Sequence, residues 1–107
     1  MTDQVKLLNI PLIRSEMRMV PDYDHPTILH TGMGSVQPFL AIEDEIDRDT
    51  TVSQLRLISD DSGFYQATAQ HYVEFGGELW KIDGRPFLWR YGGRVHHVEL
   101  NMRKVEG

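Results

Sequence analysis

Two Gly-Gly pairs, Gly76-Gly77 and Gly92-Gly93, sit between runs that alternate apolar and polar residues, and they constrain the second half of the chain to antiparallel hairpins. A two-residue primed turn requires positive φ at both central positions, which glycine adopts without a Cβ penalty. Around the first pair, residues 71–83 read HYVEFGGELWKID, and the turn fixes the pairing. Phe75 then faces Glu78, Val73 faces Trp80 and His71 faces Ile82. Val73, Trp80 and Ile82 share one face and are candidate core residues. Gly84-Arg85-Pro86 breaks the strand, after which Phe87, Trp89 and Tyr91 alternate with Leu88 and Arg90. Beyond the second pair, residues 94–105 place Val98, Leu100 and Met102 on one face and Glu99, Asn101 and Arg103 on the other.

The first half is governed by proline. Pro11, Pro21, Pro26 and Pro38 interrupt every helix-length window before residue 39. Extended pieces are expected over 12–20, 27–30, 34–40 and 51–58, the last with Leu55 and Leu57 on one face. Residues 62–70 have room for one helical turn. Such short strands with frequent turns predict an all-β fold, a small antiparallel β-barrel or sandwich of about six strands with a long acidic loop. At 107 residues the chain makes one domain. Residues 1–30 are read as an N-terminal arm or first strands, and 39–51 as a projecting loop. With no cysteine, disulfides and thiolate chemistry are excluded. No run reaches the roughly eighteen apolar residues of a membrane span, and the start lacks signal-peptide layout, so a soluble chain made in the cytoplasm is expected.

Charge is concentrated. Of the net −5, residues 43–61 hold seven acids (Glu43, Asp44, Glu45, Asp47, Asp49, Asp60, Asp61) against Arg48 and Arg56. Residues 81–104 carry six bases against Asp83 and Glu99. An acidic block and a basic surface on one small domain favour self-association over nucleic-acid capture, which wants a net basic face.

Two signatures then carry a resemblance. Val36-Gln37-Pro38 is followed by a polar loop, by Arg48-Asp49-Thr50-Thr51-Val52 and by a strand. Val73-x-x-x-Gly77-x-x-Trp80-x-Ile82-x-Gly84-x-Pro86 is followed by Trp89-Arg90, a Gly-rich turn and a strand ending Arg103-Lys104-Val105-Glu106-Gly107. In order and spacing these resemble the head-to-tail stopper (head-completion or connector) proteins of long-tailed bacteriophages, over residues 34–107. The resemblance implies a structural virion protein, not an enzyme. It would be assembled in the host cytoplasm as a homo-oligomeric ring, with portal and adaptor proteins above and tail-terminator or tail proteins below. It implies that the loop after the VQP strand projects toward a channel holding packaged double-stranded DNA. Here that loop carries Phe39, Glu43, Asp44, Glu45, Ile46, Asp47, Arg48 and Asp49. A ring of such acids would repel DNA, which carries a phosphate every ~1.7 Å of axis, and so would line a passage without gripping it or, packed close together, form a barrier. The ring-interface candidates are Arg85, Arg90, Arg94 and Arg103, facing acidic surface of a neighbour. A tail-terminator or other tail-ring subunit is the nearest alternative.

No cofactor and no metal site is expected. His96-His97 invites one, but adjacent strand residues point to opposite faces, and His25, His30 and His71 are not at zinc-ligand spacings. No nucleophile elbow or phosphate loop occurs, and Asp60-Asp61 before Gly63 reads as turn chemistry. Phe87, Trp89 and Tyr91 are expected in the barrel core with Arg85, Arg90 and Arg94 as a basic rim. The other reading of that cluster is a base-stacking platform for single-stranded nucleic acid.

Overall fold

A computed structural model describes residues 3–38 and 54–105. Among them are nine strands: β1 (Asp3–Asn9), β2 (Leu12–Ser15), β3 (Arg18–Pro21), β4 (Thr27–Pro38), β5 (Gln54–Ser59), β6 (Tyr72–Phe75), β7 (Glu78–Ile82), β8 (Phe87–Tyr91) and β9 (Arg94–Lys104). One 3-10 turn, Ser62–Gln66, follows β5. The main sheet runs β5-β4-β1-β6-β7-β9-β8, and β5 also pairs with β9. That last pairing closes six strands, β1, β4, β5, β9, β7 and β6, into an antiparallel barrel, which removes the open edges a flat sheet would expose. The expected all-β barrel is therefore the fold.

Alternation fills the barrel. Val5 and Leu7 of β1, Leu55 and Leu57 of β5, Val73 of β6, Trp80 and Ile82 of β7, and Val98, Leu100 and Met102 of β9 all turn inward and are buried. Phe64, carried by the 3-10 turn, joins them fully buried. The β6–β7 register is the one the glycine pair dictates, with Phe75 opposite Glu78 and Val73 opposite Trp80. Gly76 and Gly77 both have positive φ, 64° and 77°. The 27–30 piece and the 34–40 piece as far as Pro38 are one long strand, β4, which pairs with β1 up to Gly34 and with β5 from Ser35 onward; residues 39 and 40 lie outside the described residues. Gly34 stands at this change of partner, and a side chain there would strike Leu57 and Ser59. Ser59, the one buried polar residue in the described core, is satisfied: its Oγ donates to Met33 O at 2.7 Å and accepts from Asp61 N at 3.0 Å.

Three parts lie outside the barrel. β2 and β3 form a separate two-stranded sheet, closed at its base by Asp22 N donating to Pro11 O at 2.7 Å. On the barrel's outer wall Leu8, Ile10 and Tyr72 make a second small cluster with Leu79 and Val105. Finally, β8 pairs with the first half of β9 and runs past β7, which pairs only with residues 102–104.

Candidate functional site

Strand directions sort the ring-interface candidates between two ends of the barrel. β4 finishes at Pro38 opposite Leu55, and β5 starts at Gln54 opposite Arg103 of β9. The end of β4 and the start of β5 therefore lie at one rim of the barrel, and Arg103 belongs to that rim. The channel-loop candidates Phe39, Glu43, Asp44, Glu45, Ile46, Asp47, Arg48 and Asp49 lie outside the described residues. Arg90 and Arg94 sit at the other end, around the β8–β9 turn, and Arg94 is nine residues and ~30 Å of strand from Arg103. Arg85 is in the β7–β8 connection. All four are exposed. One subunit thus carries a single arginine of the set, Arg103, beside the root of its acidic segment.

The β8–β9 hairpin departs from the expected core. Phe87, Trp89 and Tyr91 face outward, Tyr91 with 82% of its surface exposed, whereas Leu88, between them, turns in and packs against the core. The period of two holds, but the face expected inside is the one that points out. The reason is position: Val98, Leu100 and Met102 already line the interior on β9, and the pairing of Leu88 with Val98 gives the inward face of β8 to Leu88.

A register shift between Trp89 and Arg90 lets Trp89 pair with His97 while Arg90 pairs with Val95, leaving His96 as an extra residue of β9. A bulge suspends strict alternation. His96 and His97, expected on opposite faces, consequently meet: their Nδ1 atoms are 2.8 Å apart, with one ring donating and the other accepting. His97 stacks on Trp89 at 5.8 Å between centroids, and Trp89 touches Phe87 at 4.8 Å. The result is an outward ladder of three rings, with a cleft of about 300 Å³ between Trp89, Arg90, Tyr91, His96 and His97. Among the described residues no group of three or more His, Asp or Glu side chains could hold a metal ion.

A second outward surface was not singled out from the sequence. In the β2–β3 sheet Leu12, Ile13, Met17 and Met19 are all exposed, Met17 at 93%. Its strands are short and broken by proline, so periodicity gave no face to assign.

No family model and no curated protein matches the chain. Among solved structures, protein SF1141 from Shigella flexneri 2a, determined in solution, has a similar fold. Its TM-score is 0.62 at 15% identity, covering 95% of this chain and 90% of that one. The likeness extends the barrel architecture to a second sequence and concerns the fold alone. No helix among the described residues is long and apolar enough to cross a membrane.

Proposed function

We propose that the chain is a ring-forming structural virion protein, a head-to-tail stopper that closes a DNA-filled capsid below the portal and adaptor and offers the tail its docking surface. The observation that carries this reading is the β2–β3 sheet. Two strands alone are marginally stable in water, and this pair stands off the barrel with four large apolar side chains uncovered. A neighbouring subunit in a ring supplies the missing cover. The acidic segment supports the same reading, since its roots at a single rim allow copies in a ring to gather their charge on one side. Non-specific repulsion of DNA by such a collar needs no base contacts, and it is screened over ~8 Å at physiological salt. The partners follow from the reading: further copies of the chain, portal and adaptor proteins above, tail proteins below.

Mass measurement of the full chain, alone and with adaptor and tail proteins, tests this. A ring is expected, and exchange of Leu12, Ile13, Met17 and Met19 for serine should abolish it while leaving the barrel folded. A monomer under all of those conditions ends the proposal. Neutralising Glu43, Asp44, Glu45, Asp47 and Asp49 together should change DNA retention in particles; unchanged retention would remove the acidic segment from the mechanism.

One observation favours a second reading. Phe87, Trp89 and Tyr91 lie exposed with Arg85, Arg90 and Arg94 around them, as a base-stacking platform for single-stranded nucleic acid would require. That reading expects affinity that falls with salt and a loss of roughly 1–3 kcal/mol on Trp89→Ala. No measurable binding to single strands at low salt would dismiss it.

A further inference from the structure

On the outer wall of the barrel, where β7 and β9 run side by side, Tyr23, Tyr72, Lys81, Arg103, Lys104 and Val105 enclose an open cavity of about 420 Å³. Three of these six residues are cations and none is a carboxylate, on a chain whose net charge is −5. Lys81 and Arg103 are direct cross-strand partners. Like charges directly opposite each other weaken an antiparallel pair, so the sheet holds these two in an arrangement that an anion between them would relieve. Lys104 is already met by Glu78 at 3.0 Å.

The remaining groups are held in place. Lys81 Nζ donates to Ala69 O and lies 5.0 Å from the centroid of the Tyr72 ring. Burial first, and then Arg103, lower its pKa, while Asp83 opposes them. Tyr72 is buried, and Tyr23 meets it edge-on at 6.0 Å. Burial, followed by the hydrogen bond with Tyr23, pushes the Tyr72 hydroxyl up to about 12, so it remains a neutral donor. A planar guanidinium, an ammonium and the one phenol O–H left free by the Tyr23–Tyr72 pair, on one concave surface, form a donor set suited to an oxyanion.

We propose that this pocket binds a phosphate group, with Arg103 supplying the bidentate fork, Lys81 the second positive charge, and the hydrogen-bonded Tyr23–Tyr72 pair one neutral donor. Phosphate is favoured over carboxylate by charge. Two cations without a carboxylate of their own in the lining match the −1.5 to −2 of a phosphate monoester near neutral pH, approximately, where one carboxylate would leave a cation over. The phosphate has two sources, a small phosphorylated molecule or the backbone of nucleic acid. The proposal holds whether or not the chain forms a ring.

The test is an amide-shift titration of the full chain with inorganic phosphate at fixed ionic strength, with chloride as the reference. Saturable shifts are expected at Tyr72, Lys81, Arg103 and Lys104. Arg103→Gln, an exposed position, should weaken binding about tenfold or more, the scale of one charge-assisted hydrogen-bonded contact. Arg14→Gln, an exposed position near the tip of the β2–β3 hairpin, should leave it unchanged. Adenosine monophosphate and a short DNA duplex form the other two arms. Tighter binding of the nucleotide at the same residues assigns a small molecule, and tighter binding of the duplex assigns the backbone. Shifts no different from chloride, or equal losses in Arg14→Gln and Arg103→Gln, overturn the proposal.

Discussion

His30 of β4 and Asp61, just after β5, meet between two glycines. His30 Nε2 lies 2.9 Å from Asp61 Oδ2, and the imidazole stands edge-on to Phe64 with centroids 4.8 Å apart. Asp61 Oδ1 also accepts from Gly63 N at 3.0 Å, capping the 3-10 turn that carries Phe64 into the barrel. A Cβ on Gly63 would run into the His30 ring, and one on Gly32 into the Asp61 carboxylate. Gly63→Ala should therefore destabilise by roughly 1–3 kcal/mol in urea unfolding, the usual scale of overpacking. In a His30→Ala background most of that cost should vanish; an undiminished cost would place the strain elsewhere. The pair also has a pH signature. The hydrogen bond from His30, and after it that from Gly63, lower the Asp61 pKa below its ordinary 3.8. A depressed carboxylate stabilises the fold above the ordinary value, and this contribution is lost as pH falls through the folded value. The stability gap between the native chain and Asp61→Asn should accordingly shrink on acidification below about pH 4. His71 acts in the same direction at higher pH. Burial first, then Lys81, lower its pKa below 6.5, and its Nδ1 accepts from Thr68 N at 3.1 Å, so the neutral ring is the stabilising form above that value.

At the scale of strands and hairpins, the two tryptophans make the sharpest contrast. Both sit at alternating positions of short strands, yet Trp80 is buried within the barrel and Trp89 is half exposed on its outside. Trp80→Ala should cost about 3–5 kcal/mol, as large-to-small core changes do. Trp89→Ser should lower stability by only about 1 kcal/mol, the scale of its stacking on His97 and Phe87, while impairing whatever the hairpin binds. Comparable losses from both would put Trp89 in the core after all. Within the β6–β7 hairpin, Gly76→Asn should be tolerated, because asparagine enters the left-handed region readily. Gly76→Val should cost about 1–2 kcal/mol, because a β-branched residue does not.

Over the whole molecule, closure ranks the strands. β9 binds β5 along one edge and shares its other edge between β7 and β8, and β1 lies between β4 and β6. Breaking either central strand opens the barrel, whereas β2 and β3 pair only with each other. Hydrogen exchange should therefore be slowest in β1, β5 and β9 and should approach free-peptide rates in β2–β3 for the isolated chain. Assembly should slow exchange in β2–β3 if a neighbouring subunit covers it. Exchange in that sheet as slow as in β9 for an isolated monomer would contradict the reading of an uncovered element.

The sequence alone carried everything that depends on neighbours along the chain. Glycine pairs set the hairpin turn and its register, proline excluded helices, and period-two alternation named Val73, Trp80, Ile82, Val98, Leu100 and Met102 as inward. These are local effects of φ, of sterics and of the pleat. What it left open depends on which distant strand arrives alongside. The strand over residues 3–9 is hard to see in the sequence, because the alternation of Val5 and Leu7 is blurred by Leu8, which faces the opposite way beside a bulge in the β1–β4 pairing. For Phe87, Trp89 and Tyr91, alternation identifies two faces without saying which one the barrel claims. A regular pleat separates His96 from His97, and the bulge interrupts that pleat. Lys81 and Arg103, with twenty-one residues between them, become a pocket only when β7 and β9 pair. Long-range pairing decided all four, since burial belongs to the closed sheet and not to any strand within it.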